Sequence, residues 1–200
     1  MTARTADKQK QAVLAAAAVF AEKGYHGAST TDIAERLGIK QGSLYHYFRS
    51  KEDALESVCL LGIRDYVSRM EAIAVSDQPF EAKLVAAITA HLSSYREKNE
   101  ALKVHNDERL YLPAEKRGEL KALGSRYRQL LESMFCEGLE SGSLRPNVDP
   151  HFAAQTVIGL CNAWGDLIVR DREMDVLEVA NRCVDLLLNG TSERREAQRT

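Results

Sequence analysis

Apolar positions recur at helical spacing along most of this chain, and no stretch alternates convincingly in the two-residue rhythm of a strand. Val13, Ala17, Phe20 and Ala21 form one stripe over residues 7–23, closed by Gly24 before Tyr25. Ile33, Ala34 and Leu37 form a second, and Leu44 and Phe48, four apart, a third. A long helix from residue 51 to about 74 carries Leu55, Val58, Cys59, Leu61, Tyr66 and Met70, with Gly62 in its middle marking a close packing contact or a soft point. After the break Ser76-Asp77-Gln78-Pro79 the pattern predicts helices at Phe80–Glu97, about 100–112, and 114–141 after Pro113. Gly142 and the Pro146/Pro150 segment punctuate, and helices at about Pro150–Arg170 and 174–189 follow. The expectation is an all-α chain of about nine helices: a three-helix head over residues 1–50, a helical body over 51–190, and a polar tail over 191–200 that is expected to be disordered.

Turn chemistry sharpens the head. Ser29 stands three residues before Asp32, a capping-box spacing with Asp32 in place of the usual Glu or Gln. Gly38 closes that helix, because a residue without Cβ enters the left-handed conformation cheaply, and a three-residue turn through Lys40 leads into a second helix, about 41–48. Helix, short turn and helix together make a helix-turn-helix. With Leu44 and Phe48 facing the core, Gln41, Gly42, Ser43, Tyr45, His46 and Tyr47 remain for other work. Gly42 costs about 1 kcal/mol relative to Ala in a helix, and Lys40 neither caps a helix nor suits its positive end. Both choices make sense where a phosphate or base approaches the backbone. Ser50 and Asp53 repeat the capping spacing and place Lys51 in the first turn of the long helix.

Composition limits the alternatives. The formal charge of −2 hides an asymmetry: residues 1–50 hold seven Lys and Arg against four Asp and Glu, net +3, and the remainder is net −5. A basic head on an acidic body suits a chain that holds DNA at one end, since phosphate neutralisation supplies most nonspecific affinity. Arg4, Lys8 and Lys10 form a basic arm, placed either on backbone phosphates or in solvent. No run reaches the roughly 18 consecutive apolar residues of a membrane span, and no apolar signal core opens the chain, so a cytoplasmic location away from membranes is expected. The four cysteines, Cys59, Cys136, Cys161 and Cys183, are far apart with no CxxC spacing; all four are expected to be reduced packing residues, with no metal or other cofactor. Catalysis is not expected, because no HExxH, GxSxG or phosphate-cradling glycine loop occurs, and the neighbours His105, Asn106, Asp107 and Glu108 point around a helix rather than converge.

Ser29, Ile33-Ala34, Gly38, Gly42-Ser43-Leu44-Tyr45, His46-Tyr47-Phe48 and Ser50-Lys51-Glu52 together resemble the N-terminal pattern of the TetR family of bacterial one-component transcriptional regulators. This chain departs from that pattern at Lys40, where a Ser or Thr cap is usual, and in the order His46-Tyr47. The resemblance implies a DNA-reading head, a ligand-binding body and a homodimer on a palindromic operator. Ser29, Thr30, Thr31, Lys40, Gln41, Gly42, Ser43, Tyr45, His46, Tyr47 and Lys51 are the candidate DNA contacts, with Tyr45 and Lys51 assigned to phosphates and Lys40, Gln41, Ser43 and His46 to bases.

The resemblance also implies a repressor released by a small-molecule inducer of unknown identity, mostly apolar. A likeness around Gly142-Ser143-Leu144-Arg145-Pro146 and Asp149 makes acyl-CoA thioesters the first candidates. Candidate lining residues are Tyr66, Met70, His91, Tyr95, His105, Asn106, Arg109, Tyr127, Phe135, Asn162 and Trp164, with Arg109 and Arg126 as conceivable phosphate partners. Two apolar stripes on the last helices are expected to form the dimer interface: Phe152, Thr156, Gly159, Leu160, Ala163 and Leu167 on one, and Val176, Val179, Ala180, Cys183, Val184 and Leu187 on the next.

Overall fold

The computed structural model describes residues 3–191, and the expected tail past Thr191 lies outside them. Among the described residues there are nine α-helices and no strand. They are α1 (Ala3–Gly27), α2 (Thr30–Leu37), α3 (Gln41–Leu44), α4 (Lys51–Ala74), α5 (Phe80–Glu97), α6 (Asn99–Glu108), α7 (Gly118–Glu140), α8 (Pro150–Arg170) and α9 (Val176–Asn189). Two 3₁₀ turns, Arg109–Tyr111 and Ala114–Arg117, join α6 to α7.

Most boundaries have a local cause. Gly24, at φ 68° and ψ 165°, breaks α1 and leaves Tyr25 to Gly27 as a separate turn. Asp149 caps α8 by accepting from the N–H groups of His151 and Phe152, with Pro150 at the first helical position, where its missing N–H costs nothing. Asp175 caps α9 in the same way. α6 ends four residues short of its expected limit. Arg109 turns back to donate to the carbonyls of His105 and Asn106, and Leu112, preceding Pro113, is extended.

The chain divides into two compact units: one takes residues up to Arg69 together with Ser94–Gln129, the other Met70–Ser93 with Leu130 onward. In the first, α1 packs on α2 and on α6. Phe20, Ile33, Leu44, Leu55 and Leu102 are fully buried. α4 crosses α6 closely at Gly62, where a Cβ would lie 3.1 Å from the Ala101 carbonyl oxygen, so this glycine is a packing contact and not a soft point. In the second unit Leu84, Ile88, Leu92, Leu131 and Met134 are buried, and Phe80 meets Phe135 edge to face at 5.4 Å between centroids. Lys83, though buried, donates to the Ala74 carbonyl at 2.8 Å and pairs with Glu137 at 2.9 Å, which offsets its desolvation.

Three expectations need correction here. Val176, Val179, Ala180, Cys183 and Val184 of α9 are buried within the chain and so belong to its own core rather than to an outward face, and Leu187 is half-buried. Cys136 is exposed rather than packed; Cys59, Cys161 and Cys183 are buried, and burial pushes each of those thiols up. α8 is long and apolar enough to cross a membrane by length and composition, although Gln155, Asn162 and Asp166 interrupt its apolar run. It carries apolar residues on both sides. Ala154, Val157, Cys161 and Ile168 are buried, while Phe152, Gly159, Ala163 and Leu167 are exposed.

Candidate nucleic-acid interface

The head is built by short-range hydrogen bonds. Ser29 caps α2 as the sequence predicts: its Oγ accepts from the Asp32 N–H at 3.1 Å, and the Asp32 carboxylate accepts from the Ser29 N–H at 2.7 Å. Lys23 pairs with the same carboxylate at 2.6 Å. These donors, Lys23 first and then Ser29, hold the Asp32 carboxyl down at about 2. Arg36 pairs with Glu22, a second tie between α2 and α1. Gly38, at φ 68° and ψ 30°, closes α2 in the left-handed conformation, its N–H bonded to the carbonyls of Ala34 and Glu35.

α3 is shorter than expected. Only Gln41–Leu44 is α-helical; the chain then tightens, with the N–H of His46 on Ser43 and that of Tyr47 on Leu44. Lys40 provides no side-chain cap and Gly42 adds no helix preference, so little holds a longer helix in place. The division of faces nevertheless stands. Leu44 and Phe48 are buried, while Lys40, Gln41, Gly42, Tyr45 and His46 are exposed and Ser43 and Tyr47 half-buried. Thr31 is exposed beside half-buried Thr30 at the start of α2, and the Gln41 amide donates to Thr30 Oγ1 at 3.4 Å. Gln9 reaches from α1 to the Tyr47 carbonyl at 3.4 Å.

Lys51 is already engaged, its ammonium 4.4 Å from the centroid of the Tyr25 ring. Tyr25 is a joint that periodicity does not reveal. Its hydroxyl donates to Glu52 at 2.9 Å, and its ring lies nearly parallel to that of Tyr111, centroids 5.8 Å apart. Burial, then the Glu52 contact, pushes the phenol up to about 12. His26 meets Tyr111 edge-on at 4.4 Å, and Lys103 donates to the Ala21 carbonyl at 3.1 Å. Lys116 ties the 3₁₀ turn at Ala114–Arg117 to Asp53 and Glu56 in α4. The α6 segment is thus bonded to the head and to the first turns of α4. The clue in the sequence was Tyr25 and Tyr111 themselves, but no spacing joins positions so far apart.

The candidate ligand residues fall into two groups. In the first unit Tyr66 and Tyr127 lie with ring centroids 5.6 Å apart, and the exposed Asn106 amide donates to the hydroxyl of buried Tyr95 at 3.3 Å. His105 is held neutral: burial, then the Arg109 charge, pushes its imidazole down to about 4. Its Nδ1 is shielded from solvent without a hydrogen-bond partner. In the second unit Met70, His91 and Phe135 are buried, Trp164 is half-buried and Asn162 exposed. Burial pushes His91 down to about 4 against a hydrogen bond with the Asn162 side chain. None of these eleven residues lines the groove that α5 and α9 form. That groove encloses about 780 Å³ between Pro79, Glu81, Ala82, Val85, Ala86, Thr89 and Ala90 on one side and Leu177 and Asn181 on the other. Sequence reasoning missed it because it sought polar and aromatic groups, and these walls are mostly small aliphatics. Among the described residues no cluster of His, Cys, Asp or Glu is arranged to hold a metal.

Known proteins place this arrangement. The pattern described as "Bacterial regulatory proteins, tetR family" matches residues 13–58, and that described as "Tetracyclin repressor-like, C-terminal domain" matches residues 77–191. The HTH-type transcriptional repressor KstR2 of Rhodococcus jostii (strain RHA1) is 31% identical over 139 residues, 69% of this chain and 68% of that protein. The crystal structure of the TetR family transcriptional regulator PfmR from Thermus thermophilus superposes with a TM-score of 0.84 at 29% identity, covering 91% of this chain and 99% of that one. The transcriptional regulator FadR from Bacillus subtilis, in complex with stearoyl-CoA, gives a TM-score of 0.76 at 27% identity over 92% of this chain and 99% of that one.

Proposed function

Because the chain belongs to the TetR family of bacterial regulatory proteins, we propose that it is a cytoplasmic repressor that holds a palindromic operator as a homodimer and releases it on binding a mostly apolar ligand, an acyl-CoA thioester. The observation that carries the reading is the exposed row Lys40, Gln41, Gly42, Tyr45 and His46 standing over buried Leu44 and Phe48. Such a row enters a major groove while the residues beneath it fix its angle. Ser29, Thr30, Thr31, Ser43, Tyr47 and Lys51 complete the contact set, and residues 1–50 act as the DNA-binding part of a chain whose residues 51–190 bind the effector and the second copy.

The outward face of α8, with Phe152, Thr156, Gly159, Leu160, Ala163 and Leu167, is the surface assigned to the second copy. Gly159 and Ala163 let a partner helix approach closely, and two heads then meet grooves about 34–36 Å apart. For the ligand, the support is the stearoyl-CoA bound to the FadR relative. The candidate ligand contacts remain Tyr66, Tyr95, His105, Asn106, Arg109 and Tyr127 in the first unit and Met70, His91, Phe135, Asn162 and Trp164 in the second. A ligand releases DNA only as far as it prefers the conformation that does not bind DNA. The deciding experiment is a mobility shift on the promoter next to the protein's own gene, repeated with acyl-CoA esters from short to long chain. The expected result is a shifted band that a subset of the esters abolishes; a band indifferent to every ester removes the acyl-CoA assignment, and no band removes the operator.

A further inference from the structure

We propose that Thr30 is a positioning residue that fixes which edge of the Gln41 amide is offered to DNA, and that Gln41 thereby reads adenine. The inference rests on the DNA-reading role assigned above and adds the identity of one base.

The juxtaposition comes from the turn. Thr30 opens α2 and Gln41 opens α3, and the left-handed Gly38 folds the chain so that Gln41 Nε2 donates to Thr30 Oγ1 at 3.4 Å. A carboxamide has two N–H donors and one carbonyl acceptor. With one donor directed to Thr30, one N–H and the carbonyl oxygen remain side by side at the end of an exposed side chain. Nothing crowds the next position, since a Cβ built on Gly42 would meet no atom within 4 Å. In the major groove adenine alone sets an acceptor, N7, beside a donor, the N6 amino group; guanine sets two acceptors side by side. The tethered amide fits adenine with both remaining groups and turns its oxygen against an acceptor of guanine. Rotated by half a turn, the same amide would accept from the Thr30 hydroxyl, offer both N–H groups to DNA and favour guanine, so the preference is set by the direction of the bond, which here runs from the Gln41 amide to Thr30 Oγ1.

Selection of full-length protein on a randomised duplex library, followed by competition among sites altered one base at a time, tests this. Wild type is expected to prefer adenine at one position in each half-site by roughly tenfold to a hundredfold, the range of a good bidentate contact. Gln41→Ala should abolish the preference there and leave the other positions unchanged. Thr30→Val keeps the shape and removes the acceptor; it should lower that one preference roughly fivefold, the worth of a neutral hydrogen bond, and Thr30→Ser should restore it. Guanine at the Gln41-dependent position overturns the assignment, as does a Thr30→Val protein that weakens on all sequences alike. If Thr30→Val loses its thermal unfolding transition, Thr30→Ser decides: unchanged adenine preference in a folded Ser variant supports the proposal, and its loss there overturns it. A wild type that enriches no sequence removes the DNA-reading role itself, which is a different failure from enriching a site with the wrong base.

Discussion

Helices α8 and α9 follow one another in the chain and look alike as sequences, yet they use their apolar residues in opposite ways. In α9 the predicted stripe faces inward, with Ala180 fully buried and Val184 2% exposed, and only the isolated Leu177 and Leu186 face out. In α8 one apolar sector is buried at Ala154, Val157, Cys161 and Ile168, and a second faces out, with Phe152 71% exposed. A helix with one apolar side is satisfied by its own chain, whereas one that is apolar on both sides needs a further cover. The width of the apolar sector separates the two, and a list of stripes does not.

The contrast breaks most visibly with a charge. Ala180→Glu places an unpaired carboxylate in the core, a cost of several kcal/mol, and the protein is expected to lose its cooperative thermal transition. A stable Ala180→Glu variant would show that the inward assignment of α9 is wrong. Protons probe the same dry interior. His91 and His105 bind protons at about 6.5 in the unfolded chain and at about 4 in the folded one, so the unfolded state holds more protons between those values. Stability should be full above about 6.5 and fall as pH drops towards 4, by on the order of 3 kcal/mol for each histidine. Denaturant midpoints measured across that range check the slope, and His91→Gln should flatten it. The exposed head behaves differently: Asp32, held at about 2 against an ordinary 3.8, keeps its contribution until pH falls below about 4.

Smaller effects sharpen the comparison further. Ser29→Ala removes the cap of α2 and is expected to cost about 1 kcal/mol, read as a lower denaturant midpoint with an unchanged slope. Ala163→Glu, on the outward face, should leave circular dichroism intact and change the intrinsic stability of one chain by less than about 0.5 kcal/mol. Its expected effect is on association: sedimentation should show half the mass of the wild type. A wild type that sediments as a single chain at micromolar concentration would leave the outward face of α8 without its assigned cover.

What the sequence made legible was mostly local. The Ser29/Asp32 box, the left-handed Gly38 and the division of Leu44 and Phe48 from Gln41, Tyr45 and His46 all rest on residues within about ten positions of one another, where turn chemistry and helical period act directly. The long helices were also readable, because each carries many periods of its pattern. Less was readable where distant segments decide the outcome. The direction of the α9 stripe depends on which helices cover it, the early end of α3 on the weak start that Lys40 and Gly42 provide, and the α5–α9 groove on α5 alanines that carry no chemical signal and on Leu177 and Asn181 far along the chain. The joint of Tyr25 with Lys51, Glu52 and Tyr111 belongs to this second class, since only the folded chain brings those positions together.

That joint bears on how such a protein is taken apart. A head cut after residue 50 would lose the ammonium over the Tyr25 ring, the acceptor of its hydroxyl and the ring stacked against it, and would expose an aromatic surface that is now covered. Grafting this reading head onto another effector module therefore calls for a discontinuous transplant. The first turns of α4 and the stretch from Asn99 to Arg117 must travel with it, and a chimera joined at a single seam inherits the recognition residues without the scaffold that keeps them at their angle.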